Sequence, residues 1–124
     1  MKIIDNAISV ENLNIIQEIM LGCAFPWFYN THTIDEHTSS GLNDFQFTHQ
    51  FYVDANRYGY PESNHFNIIK PILEILKCRI LIRAKANLRV VAPEKDMVAG
   101  WHRDYEYKSK TAIFYVNSNN GYTM

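Results

Sequence analysis

No charge of either sign prevails in this sequence. Its 124 residues hold 12 Lys and Arg against 13 Asp and Glu, a net charge of −1 with neutral histidines. That balance excludes a general electrostatic grip on nucleic acid or on an anionic membrane. Cysteine is scarce. Cys23 and Cys78 are the two present, and no CxxC pair exists, so a thiolate-built structural zinc site is not expected. Both fall in helix-like apolar surroundings and are read as buried thiols in a reducing compartment rather than as a disulfide. No apolar run approaches the ~20 residues of a bilayer-spanning helix. The opening MKIIDNAISVEN has no apolar stretch of the about 7–15 residues that a secretory signal carries. Internal repeats and low-complexity linkers are absent too. These absences together point to a cytoplasmic protein.

What is present is the composition of one folded domain, residues 1–124, with 47% hydrophobic and 20% charged residues. Aromatic residues reach 14%, with 8 Tyr and 7 Phe, which favours strands and an aromatic-lined pocket. Lys2 to Asp5 is a short apolar stretch expected to form an edge strand. Ser9 then has the character of an N-cap, and Glu11 suits the positive end of a helix. Leu13, Ile16, Met20 and Cys23 recur at helical spacing, with Ile15 and Ile19 widening the stripe. Gly22 lies near the end of that helix and Pro26 stops it. FPWFYN, residues 25–30, is expected to be extended. A polar loop carrying His32 and His37 follows, through Asp44.

Phe45 to Val53 alternates. Phe45, Phe47, His49, Phe51 and Val53 share one face, and Gln46, Thr48, Gln50 and Tyr52 the other. His49 therefore lies on the apolar face, either as a hydrogen-bonded core or pocket-rim histidine or as a functional one. Ser63 or Asn64 can cap the next helix, whose apolar positions are Phe66, Ile69, Ile72, Leu73 and Leu76. Pro71 inside that run means that the helix is kinked there or starts near Lys70. Arg79 to Val91 reads as a strand. Ile80, Ile82, Ala84, Ala86, Leu88 and Val90 make its apolar face; Arg79, Arg83, Lys85, Asn87 and Arg89 make the other. That basic face is either solvated or lines a site for an acidic ligand. Thr111 to Asn117 is a further expected strand, and Asn119-Asn120-Gly121 is a hairpin turn signal. Helix, strands, helix and more strands predict an α+β protein with helices on one side of a mainly antiparallel sheet.

The chemistry concentrates in Trp101-His102-Arg103-Asp104. On extended chain, residues i and i+2 point the same way, so His102 and Asp104 present an imidazole and a carboxylate together. Non-haem Fe(II) oxygenases hold iron with two histidines and one carboxylate on one face of an octahedron. His-x-Asp after the strand RAKANLRVV, with TAIFYVN and NNGYT following, resembles the 2-oxoglutarate/Fe(II)-dependent oxygenase superfamily in its prolyl-hydroxylase-like branch. FPWFYN and FQFTHQFY also look like the N-terminal part of such domains. The resemblance implies a double-stranded β-helix (jelly roll), of which this chain would form the N-terminal portion. It implies a dioxygenase that couples 2-oxoglutarate decarboxylation to hydroxylation, on a peptidyl side chain or a small molecule. His102 and Asp104 match the iron ligands. Tyr115 matches a strand tyrosine that contacts 2-oxoglutarate, and Asn87 matches a polar co-substrate contact. Trp101 and Arg103 would point away from the metal.

The sequence departs from that family in one respect. The family's second iron histidine and its 2-oxoglutarate-binding Arg or Lys come well after the Asp. Here no histidine follows His102, and the last basic residue is Lys110. Three readings follow: the sequence ends early as a gene fragment, a partner chain supplies the remaining strands, or His49 or another upstream histidine completes a non-standard site. A sheet without its closing strands leaves open edges, which predicts a homo-oligomer. The alternative function is a non-enzymatic jelly-roll module that binds a ligand or partner.

Overall fold

The structure is a computed structural model, and it describes residues 2–31, 45–54, 63–90 and 109–118. Two helices and a three-stranded antiparallel sheet make up an α+β arrangement among the described residues.

The first helix, α1, spans Val10–Met20. Ser9 caps it as expected: its backbone is extended and its Oγ accepts the Asn12 N–H at 3.2 Å, an interaction that contributes about 1 kcal/mol. Glu11 sits in the first turn. The inward stripe is Ile16 and Met20, both buried. Leu21 closes the helix, and its N–H donates to the Gln17 carbonyl at 2.9 Å. A Cβ at Gly22 would meet the Glu18 carbonyl oxygen at 2.8 Å, so the chain can leave the helix this tightly only with glycine there.

The sheet runs β1 (Phe28–Asn30), β2 (Gln46–Val53), β3 (Arg83–Leu88), with β2 in the middle. Phe28 pairs with Thr48, and His49 pairs with Ala86. An irregularity falls at Phe51: Gln50 is opposite Lys85 and Tyr52 is opposite Ala84, which leaves Phe51 as the extra residue of a bulge. The Asp54 N–H carries the β2–β3 pairing one step further, to the Ile82 carbonyl at 3.0 Å. His49, Phe51 and Val53 are buried, as their alternation predicts. Gln46 is buried as well, although the alternation puts it on the polar face.

Between β2 and β3, a 3₁₀ turn at Phe66–Ile69 passes directly into α2, Lys70–Ile75, with Pro71 in its first turn. Of the two readings of Pro71, the start near Lys70 is the one realised, because an N-terminal proline gives up no helical N–H bond. Lys77 ends α2 in the left-handed region, at φ 49°. The Lys77 N–H donates to Glu74 and the Cys78 N–H to Leu73, at 3.0 and 3.1 Å, a Schellman closure built without glycine. Ile16, Met20, Phe25, Phe51 and Ile69 form the core cluster, with Ala84 and Ala86 packed against it from β3. The helices therefore share the sheet face that carries Phe51.

Four expectations need correction. Lys2 to Asp5 is not a strand, and Ile3 is 73% exposed. The strand expected over 79–91 is confined to Arg83–Leu88, and Ile80 and Val90 lie beyond its ends, 84% and 57% exposed. The 111–117 segment is not a strand among the described residues, and it bends at Val116 and Asn117. It packs Phe114 and Val116 onto the core instead, and the Val116 carbonyl accepts the Gln17 Nε2–H at 2.6 Å. Both cysteines are exposed and free, since Cys23 falls in the turn after α1 and Cys78 in the turn after α2. No helix among the described residues is long and apolar enough to cross a membrane. The 119–121 turn signal, His32 and His37 lie outside the described residues.

Candidate functional site

The described residues converge on chemistry at His49. Strand β2 buries its ring to 4% exposure. Phe25 lies against it with centroids 4.5 Å apart, and Phe51 meets it edge-on at 4.8 Å. A buried imidazole needs partners for its nitrogens, and His49 has two. Its Nδ1 is 2.9 Å from the Pro26 carbonyl, and its Nε2 is 3.1 Å from the Ser63 Oγ. A carbonyl only accepts, so Nδ1 carries the proton and donates. In the neutral ring Nε2 is then the acceptor, and the Ser63 hydroxyl donates to it.

Neutrality is the favoured state. Burial pushes His49 below its ordinary value of 6.5, the Pro26 hydrogen bond pulls the other way, and the nearby His65 imidazole adds to the lowering. His65 stands 5.7 Å from His49 between ring centroids.

Ser63 is held from three sides. Its N–H donates to the Phe51 carbonyl at 2.9 Å, taking up the edge of β2 that β1 leaves open. Its carbonyl accepts the Phe66 N–H at 3.0 Å, and its Oγ accepts the His65 N–H at 3.2 Å. Proline at 26 ends the preceding turn and presents its carbonyl to His49. An open cleft of about 370 Å³ lies over this group, lined by Pro26, Phe28, Gln50, Ser63, Asn64 and His65 among others. Sequence reasoning puts His49 on the apolar face, as a core or pocket-rim histidine or a functional one. It read Ser63 only as a helix cap, because nothing local in NHFNII signals that the hydroxyl meets a histidine 14 positions earlier.

Of the residues singled out for iron and co-substrate, the structure describes Asn87 and Tyr115. His102 and Asp104, with Trp101 and Arg103, lie outside the described residues. Asn87 is on β3, exposed and opposite Thr48. Tyr115 is 51% exposed, between the two inward side chains of Phe114 and Val116. No three His, Cys, Asp or Glu side chains come together as a metal-holding group among the described residues. His49 is a poor candidate for an upstream ligand, since both ring nitrogens already have protein partners.

Comparison with known proteins comes back empty. No family model, no curated protein and no solved structure matches this chain.

Proposed function

We propose that this chain carries the His-x-Asp part of an Fe(II) site in a 2-oxoglutarate-dependent oxygenase (hydroxylase) domain. Its antiparallel sheet would then be part of a double-stranded β-helix. The observation that carries this reading is His102-Arg103-Asp104, which follows the strand containing RAKANL and precedes TAIFYVN. An imidazole and a carboxylate two residues apart are a donor pair suited to Fe(II). When bound, Fe(II) would supply activation of oxygen for hydroxylation. Tyr115 and Asn87 would offer a phenol and an amide to the carboxylates of 2-oxoglutarate.

No histidine follows His102 in this sequence. The histidines are His32, His37, His49, His65 and His102, and His49 is engaged on both sides. Two protein donors hold Fe(II) less firmly than three, so the expected activity is weak. Among the described residues β1 is an outer strand of the sheet, and self-association through it is part of the proposal. Light scattering after size-exclusion chromatography would give more than the 14.5 kDa of one chain.

The cleft beside His49 favours a second reading, a ligand-binding module without turnover. Succinate formation from 2-oxoglutarate with Fe(II) and ascorbate separates the two. Succinate that disappears in His102→Ala supports the oxygenase. Equal background from both proteins supports the module.

A further inference from the structure

We propose that Ser63 is a nucleophile activated by His49, and that the cleft above them takes a small ester with an apolar acyl group. This goes beyond the oxygenase reading and does not depend on it. Two hydrogen bonds through His49, to Pro26 and to Ser63, carry it. The Pro26 carbonyl fixes the tautomer of His49 by accepting from Nδ1 at 2.9 Å, and Nε2 is thereby the nitrogen that faces the Ser63 hydroxyl at 3.1 Å. Nucleophile, base and a third group that orients the base are the arrangement that activates a serine. The backbone carbonyl here takes the orienting position that a carboxylate often holds.

The surroundings suit the assignment. The Ser63 Oγ accepts the His65 N–H, which fixes the side chain so that its own proton is directed to His49. Burial keeps the imidazole neutral and able to accept that proton. Ser63 borders the open cleft, where Pro26 and Phe28 offer an apolar wall and Gln50 and Asn64 offer polar groups.

The step balances. The Ser63 Oγ bonds to the acyl carbon, the ester C–O bond breaks, and the hydroxyl proton passes through His49 Nε2 to the departing alkoxide. Water then cleaves the acyl-serine, so that ester and water give acid and alcohol.

A fluorophosphonate probe tests this directly. Its phosphorus bonds to Oγ, fluoride leaves, and His49 takes the proton. Peptide mass spectrometry of the folded wild-type protein should find the label on Ser63. Ser63→Ala should lose it, and His49→Gln should slow it at least about tenfold. In the wild-type protein the labelling rate should rise with pH to a plateau, with its midpoint below 6.5, the ordinary imidazole value. That profile needs no variant to fold. An unlabelled Ser63, a rate that climbs without a plateau, or equal labelling in a folded His49→Gln protein would overturn the proposal.

Discussion

Two histidines in this chain differ in what surrounds them. His49 is spent internally: one nitrogen donates to Pro26, the other accepts from Ser63, and aromatic rings close around it. His102 has a carboxylate two residues away in Asp104, in a segment of polar and aromatic residues. An imidazole can ligate a metal only through a nitrogen that is not already committed. On the proposed function, His102 would serve metal chemistry, and His49, with both nitrogens engaged, would handle a proton.

The comparison breaks most severely if the wall behind His49 is removed. Phe51 is buried on the bulge of β2 and touches both the core and the His49 ring. Phe51→Ala should destabilise the fold by about 3–5 kcal/mol, read as a lowered denaturant midpoint, and should raise the lowered His49 midpoint in an NMR titration.

A smaller effect comes from pH. His49 is held below its unfolded value, so the unfolded chain binds more protons and stability rises with pH. The contribution is complete above about 6.5 and is lost as pH falls from there through the lowered folded value. Among the described residues, His65 is a titratable group that faces His49, and it shares the cleft. His49→Gln should flatten the slope of stability against pH below 6.5. An unchanged slope would place the titration elsewhere.

The smallest effect provides a control in the turn after α2, on a different element from His49. Lys77 holds a left-handed backbone at φ 49° that costs an L-residue roughly 1 kcal/mol. Lys77→Gly should raise stability by about that amount and leave both histidine chemistries unchanged. A loss of stability would show that the lysine side chain outweighs the backbone strain.

How much of this was legible in the sequence depends on the range of the interaction. Ser9, the Ile16 and Met20 stripe and the inward His49 are local patterns, and each reads correctly because period and capping act within a few residues; Pro71 leaves two readings open, between which the structure decides. The Phe51 bulge and the shortening of β3 to Arg83–Leu88 depend on strand pairing, which no single strand encodes. The same is true of 111–117, where apolar alternation signals an extended chain but not whether a neighbouring strand takes it up. Cys23 and Cys78 were misplaced by periodicity carried past a helix end. Ser63 reads only as a cap because its partner, His49, comes from β2, 14 positions earlier. His102 and Asp104 were visible only as residue types at a spacing.

Manganese binding tests the division of labour between the two histidines most directly. Mn(II) stands in for Fe(II), and its electron paramagnetic resonance signal reports free and bound metal. Wild type and His49→Gln should bind Mn(II) alike, while His102→Ala and Asp104→Ala should each weaken binding at least about tenfold, the scale of losing one ligand or its support. Binding that survives loss of His102 and disappears with loss of His49 would contradict the account.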